Sequence, residues 1–255
     1  MRPNRILDLT GKAWRYALAA LGHPSRIPRL LVHAARGVHL GELLNLQRGW
    51  IRSAGIETVI DVGAHTGEFS SAIRAVLPEA YVYAFEPIPD CFPRIAKRLG
   101  PNGRFKAFPV ALGERSGPVE FHRSSFTKSS SVLPMADLHR VAFPWSAGSE
   151  RVTVQMKTLD DFLDEINMKP KVLLKLDVQG YELQVLKGAT QTLKQVDYVL
   201  TEVSFRPLYE GQALFPDVFS FLTAGGFSFA GVLDQLRSPV DDLILQADAM
   251  FVRQP

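Results

Sequence analysis

Four acids in this sequence each close a short apolar run: Asp61 after VI, Glu86 after AF, Asp177 after KL and Glu202 after LT. In an open α/β sheet, ligands bind outside the carboxyl ends of the strands, so an acid in such a place faces the binding crevice. The first of them precedes the loop Gly63-Ala64-His65-Thr66-Gly67. That loop lacks the G-x-G-x-x-G spacing that brings backbone against a pyrophosphate, and no Gly-Lys-Ser/Thr follows to make a P-loop. A carboxylate at Asp61 would repel a pyrophosphate. It suits a ligand with an ammonium and a sulfonium, and S-adenosylmethionine has both. Glu86, at the end of the next run and followed by Pro87, stands at about the spacing where an acid chelates ribose hydroxyls. The competing reading of the loop is an ordinary strand-to-helix turn with an aspartate cap.

These acids need strands to carry them, and the chain alternates accordingly. Strands are predicted at Thr58 to Val62, Tyr81 to Phe85, Phe105 to Leu112, Val172 to Leu176, Tyr198 to Val203, Phe227 to Leu233 and Ala249 to Val252. Helices are predicted at Glu68 to Leu77, Pro89 to Leu99, Asp160 to Ile166, Tyr181 to Leu193 and Asp217 to Ala224. This β-α-β rhythm predicts a parallel sheet with helices on both faces. The stretch at about 113–150 reads as an irregular insert with a short strand, Val119 to His122, and a polar loop, SSFTKSSS. Loops of that length are functional or disordered more often than mere connections. Val152, Val154 and Met156 alternate with polar residues as a half-exposed strand does.

Length and composition frame this reading. A chain of 255 residues with 46% hydrophobic and 22% charged residues can bury its own core. One cysteine, Cys91, excludes an intrachain disulfide and a cysteine-built zinc site. Residues 1–50 carry eight basic side chains against Asp8 and Glu42, a surplus of six. With +3 for the whole chain, the remainder carries −3. Residues 1–50 therefore read as a basic helical arm, broken at Gly22-His23-Pro24 and near Gly37, ahead of one domain over 51–255. Such an arm either makes weak contact with an anionic membrane surface or another polyanion, or is a solvated helical face. No apolar stretch is long enough to span a bilayer, and nothing resembles a signal peptide, so a cytoplasmic location is expected, with no nucleic-acid partner and with self-association open.

The runs VIDVGAHTGEF, AFEPIP, VALGERSG, TLDDF, LLKLDVQGYELQVLKGA, LTEVSF, LYEGQ and ADAMFVR together resemble FkbM-type S-adenosylmethionine-dependent methyltransferases over roughly residues 57–253. The KLDVQGYELQVLKGA block is the most specific part. The resemblance implies a Rossmann-like, seven-stranded methyltransferase sheet, mostly parallel with its last strand antiparallel. It implies O-methylation of a sugar or secondary metabolite. By position it implies that Asp61, Gly63, Ala64 and Gly67, with His65 and Thr66 between them, hold the methionine end of the cofactor. Glu86 would hold the ribose, Pro87 and Ile88 would flank the adenine, and Val110 and Ala111 would meet its edge. Ser130 and Ser131 resemble a serine pair that closes over the cofactor. His65 departs from the family loop, which usually has asparagine there.

Methyl transfer to an alcohol is an in-line displacement in which proximity does most of the work, and a poor nucleophile needs a base or a metal. Asp177 and Glu202 are the candidates for that role. They could ligate a divalent ion such as Mg²⁺ and clasp the acceptor oxygen with it. Alternatively Asp177 alone is the base or binds the cofactor's amino group, and Glu202 caps a turn. Lys175 shares a strand face with Asp177 and calls for a partner such as Glu182 or Glu202. Glu182 could brace the following loop through backbone amides. His122 and His139 are further candidate bases, and Tyr181, Phe126, Trp145 and Tyr209 could line a saccharide or small-molecule acceptor pocket. Two other functions fit less of the sequence: a nicotinamide-dependent oxidoreductase, opposed by Asp61 and the missing middle glycine, and a non-catalytic nucleoside-binding module.

Overall fold

A computed structural model describes residues 43, 46, 49–100 and 103–255. The predicted helices of the basic arm before residue 43 lie outside the described residues. A short helix α1 (Gly49–Ser53) leads into β1 (Thr58–Val62), α2 (Glu68–Val76), β2 (Tyr81–Phe85), α3 (Phe92–Leu99) and β3 (Phe105–Phe108). The chain continues through β4 (Ala111–Leu112), β5 (Gly117–Ser124), α4 (Asp137–Ala142) and β6 (Ser149–Lys157). It ends with β7 (Val172–Leu176), α5 (Glu182–Lys187), β8 (Tyr198–Ser204), α6 (Phe215–Ala224), β9 (Phe227–Arg237) and β10 (Ile244–Arg253).

Seven strands form one sheet in the order β3-β2-β1-β7-β8-β10-β9. The pairs β3-β2, β2-β1, β1-β7 and β7-β8 are parallel, and β10 runs antiparallel to both β8 and β9. The α/β sheet with a reversed last strand is therefore present as expected. Every residue of β1 and β7 is buried, the pattern of central strands covered on both faces. On one face Ile60, Val62, Leu174 and Leu176 pack with Val185, Leu186 and Leu222 from α5 and α6. On the other, Val59, Val82 and Leu173 pack with Phe69, Ala72 and Ile73 of α2 and with Leu43, Leu46 and Ile51 ahead of β1.

Three predicted elements differ. The third strand breaks after Phe108 because Pro109 has no N–H to continue the ladder; Ala111 and Leu112 pair instead with Met156 and Lys157 of β6. The predicted helix from Tyr181 ends at Lys187, and a separate turn follows at Thr192–Gln195. Gly188 caps the helix where a Cβ would lie 1.9 Å from the Gly113 carbonyl oxygen. The predicted helix at Asp160 shrinks to one turn, Asp160–Phe162. The insert is also more ordered than its sequence suggests. β5 and β6 pair antiparallel from Gly117↔Met156 to Ser124↔Ser149 and form a small second sheet with β4.

The order of the main sheet reverses between β1 and β7. Connections from β1 leave toward β2, and those from β7 leave toward β8, so the loops after both strands part and leave a crevice at their carboxyl ends.

Candidate functional site

A cavity of about 250 Å³ occupies that crevice. The loop after β1 forms its floor. Gly63 and Gly67 both have φ 77°, and His65 has φ 49°. Gly63 is dictated by a close approach rather than by a ligand, since a Cβ there would sit 1.9 Å from the Asp177 carbonyl oxygen. Its N–H and that of Ala64 both donate to the Phe85 carbonyl at 3.0 Å, tying the loop to the end of β2. Gly67 and Thr66 do not line the cavity; Gly67 opens α2 and rests on Ile95.

Glu86 follows β2 into the cavity wall. It is buried, and each carboxyl oxygen accepts one backbone N–H at 2.8 Å, from His65 and from Ile88. Burial pushes its pKa up to about 7, and those two donors work in the opposite direction. Pro87, Ile88, Val110, Ala111 and Ser130 also line the cavity.

Burial likewise raises Glu182 to about 7. In the unfolded chain both acids ionise near 4.5. The folded protein therefore holds protons that the unfolded chain has released. The stability these two groups contribute is complete below pH 4.5 and is lost as pH rises to about 7. Melting temperatures of the ligand-free protein at pH 5 and pH 7.5 should fall further apart in the wild type than in Glu86→Gln, which lacks the Glu86 share. An equal or wider gap in the variant would contradict the raised Glu86.

Asp61 is placed differently from the expectation. Its side chain is 0% exposed and does not line the cavity. Its Oδ2 accepts the Ser70 hydroxyl at 2.6 Å and its Oδ1 lies 3.2 Å from Lys175 Nζ. The register explains this, because Asp61 stands directly opposite Lys175 across β1 and β7, where neighbouring side chains share a face. Lys175 thus has Asp61 as its buried salt-bridge partner. Its ammonium also lies 3.6 Å from Asp177 Oδ2 and 3.5 Å from the Gly63 carbonyl. The direct cofactor contact expected of Asp61 is replaced by this buried ion pair. Lys175 and Asp177 are the charges that reach the cavity there.

The acids after β7 and β8 do come together. The Asp177 side chain is 41% exposed, whereas Glu202 lies deeper, raised well above the usual carboxylate range by burial and then by Asp177, Glu182 and Asp248. The amide nitrogen of Gln179 lies between them, 2.8 Å from Asp177 Oδ1 and 3.0 Å from Glu202 Oε2. Gln246 Nε2 donates to the same Glu202 oxygen at 2.7 Å. These contacts lend no support to the expected Mg²⁺ site. A divalent ion needs oxygen ligands, and here N–H₂ groups take the facing carboxyl oxygens. Among the described residues no group of three or more His, Cys, Asp or Glu side chains is placed to hold a metal ion. Glu182 braces the loop as expected, its Oε1 accepting the Val178 N–H at 2.9 Å and the Gly180 N–H at 3.2 Å.

The polar loop of the insert arches over this floor. Thr127 Oγ1 is 2.8 Å from His65 Nε2, and Lys128 pairs with Glu68 at the start of α2. Burial first, and Lys128 second, lower the His65 pKa, which keeps the ring neutral. Ser130 lines the cavity. Ser131 does not; its hydroxyl donates to the Gln179 carbonyl at 2.8 Å and accepts from the Leu133 N–H at 3.0 Å. The loop is thus fastened at both ends of the crevice.

The candidate bases elsewhere in the insert stand away from the cavity. His139 is buried against Phe143 and Tyr209, with Nε2 3.0 Å from the Ser146 hydroxyl, and burial lowers its pKa to about 4. His122 faces Glu120 at 3.6 Å. Phe126 and Trp145 are exposed, Tyr209 is buried behind Gln179, and of the aromatics singled out only Tyr181 lines the cavity. Gln179, Gln246, Thr127, Lys128 and Asp248 went unmarked in the sequence. Gln179 had one usable signal, its place two residues after a strand-end acid in a glycine turn.

A family model described as the methyltransferase FkbM domain matches residues 61–229. The 2-O-methyltransferase NoeI of Sinorhizobium fredii is 30% identical over 161 residues, 60% of this chain and 66% of that protein. The hexuronic acid methyltransferase AglP of Haloferax volcanii is 28% identical over 144 residues, 56% of this chain and 54% of that protein. The matched parts thus span between about half and two thirds of these relatives. A crystal structure of methyltransferase FkbM from Methylobacillus flagellatus KT aligns with a TM-score of 0.49 and 15% identity, over 89% of this chain and 59% of that one.

Proposed function

Because the chain belongs to the FkbM methyltransferase family, we propose that it binds S-adenosylmethionine in the crevice between β1 and β7 and methylates a hydroxyl of a sugar or glycosylated metabolite. One observation carries this reading: Glu86 is fixed at the cavity wall by two backbone N–H groups, each of its oxygens keeping a lone pair for a ribose hydroxyl. A nucleoside can be held there, and the cavity's basic side chains, Lys175 and Lys128, are already engaged with acids. Pyrophosphate is thereby disfavoured, and with it a nicotinamide cofactor. The names of the relatives, one a 2-O-methyltransferase and one a hexuronic acid methyltransferase, support oxygen as the methylated atom and a sugar as the acceptor.

When bound, the cofactor supplies a methyl group on a positively charged sulfur. The chain's own part is to align the acceptor and to manage one proton. Asp177, with its side chain 41% exposed, would take the proton of the acceptor hydroxyl as the acceptor oxygen receives the methyl group. Glu202, whose pKa burial raises well above the usual carboxylate range, hydrogen-bonds the acceptor beside it. Ile88, Val110 and Ala111 form the apolar wall for the adenine. The fastened loop 126–131 excludes water from the transfer. Among the described residues no helix is long and apolar enough to cross a membrane. A cytoplasmic setting belongs to this reading, and the lone buried thiol of Cys91 is compatible with it.

Calorimetric titration with S-adenosylmethionine, S-adenosylhomocysteine and NAD checks the cofactor. The first two should bind and NAD should not. Binding of NAD alone would remove the methyltransferase reading.

A further inference from the structure

Gln179 is held in a way that ordinary loop residues are not. Its backbone is left-handed, with φ 56°. Its amide nitrogen contacts both cavity acids, and its amide oxygen accepts the Tyr209 hydroxyl at 2.8 Å. Its backbone carbonyl is taken by Ser131 of the overarching loop. Tyr209 is fully buried and does not line the cavity; its hydroxyl reaches the site through Gln179 and also lies 3.2 Å from the Ser129 carbonyl of the overarching loop. A donor at one end and two acceptors at the other leave the amide a single satisfactory orientation.

We infer that Gln179 is a positioning residue for methyl transfer: its amide fixes Asp177 and Glu202 at one separation, so that their remaining oxygens grip a single acceptor hydroxyl. The inference rests on the methyltransferase reading above. Neither carboxyl can turn away without giving up the shared N–H₂, and the two acids would otherwise repel as soon as both ionised. Gln246 steadies Glu202 from the far side, through the same oxygen. Tyr209 and Ser131 couple the clamp to the insert, so closing the loop and setting the acids are one event.

The experiment compares Gln179→Asn, Gln179→Glu, Tyr209→Phe and the double variant Gln179→Glu/Glu202→Gln with the wild type. It records kcat, the acceptor KM, cofactor affinity and melting temperature. Asn is one methylene too short to bridge, and Glu replaces two donors with a third acid. Either should lower kcat by about 10–100-fold, with cofactor affinity and melting temperature close to wild type. Tyr209→Phe should lower kcat about threefold to tenfold although it touches no ligand. The double variant restores one amide and one acid across the gap and should recover roughly tenfold over Gln179→Glu. Single variants with wild-type kcat, or losses that only follow weaker cofactor binding or a lower melting temperature, would overturn the positioning role and leave the enzyme reading intact. A wild-type protein that binds S-adenosylmethionine yet methylates no glycoside would overturn both.

Discussion

Asp177→Asn is expected to lower methyl transfer by about 10²–10⁴-fold, the usual worth of a positioned base, while cofactor affinity stays within about threefold. The geometry allows the two effects to separate. The Asp177 side chain is 41% exposed and forms the rim of the cavity. Lys175 loses one partner at 3.6 Å in the variant but keeps Asp61 at 3.2 Å, so the buried ion pair beneath the site survives. The backbone of residue 177, whose N–H donates to the Val62 carbonyl at 3.1 Å, is unchanged. What disappears is the cavity carboxylate assigned the acceptor proton, while Glu86 keeps its two backbone N–H donors at the ribose end. Steady-state rates together with calorimetric cofactor binding decide it. Undiminished kcat in the variant would remove Asp177 as the base.

Gly63→Ala should be the most damaging small substitution in the chain. The added carbon would lie 1.9 Å from the Asp177 carbonyl oxygen and 2.9 Å from its carbon, and both are backbone atoms that cannot rotate aside. Relieving the clash must part the ends of β1 and β7, the two strands that bound the crevice. Overpacking of this kind costs about 1–3 kcal/mol, and a non-glycine residue in the left-handed region adds roughly 1–2 kcal/mol. A fall in melting temperature of roughly 5–15 °C follows for a domain of this size, with loss of cofactor binding. Gly55→Ala provides the control, since Gly55 has φ 68° but nothing within 4 Å of the added carbon. It should show the conformational cost alone. Equal losses at the two positions would mean that the β1–β7 contact does not constrain the site.

The alternation of strands and helices was legible because β1, β2, β7 and β8 are short, mostly apolar runs, as strands covered on both faces require. Strand-end acids were legible for the same reason, since the end of such a run is visible in the letters. Which neighbour each acid meets was not. Asp61 and Lys175 are 114 residues apart and adjacent only through strand register, so the cofactor contact expected of Asp61 gave way to an ion pair. The Mg²⁺ expectation likewise found no support. Two acids at adjacent strand ends look like ligands until a glutamine from the intervening loop takes the space between them. The insert was least legible because its order comes from long-range pairing of β5 with β6 and from single hydrogen bonds such as Thr127 to His65.

The cavity is proposed to pass a methyl group from sulfur to a sugar hydroxyl. The most direct test incubates the protein with S-adenosylmethionine carrying an isotopically labelled methyl group and a panel of neutral, amino and uronic glycosides, with products read by mass spectrometry. The account predicts one labelled methyl on an oxygen of at least one glycoside, formed together with S-adenosylhomocysteine and suppressed in Asp177→Asn. Label on nitrogen or carbon, or a product that forms equally well in Asp177→Asn, would contradict it.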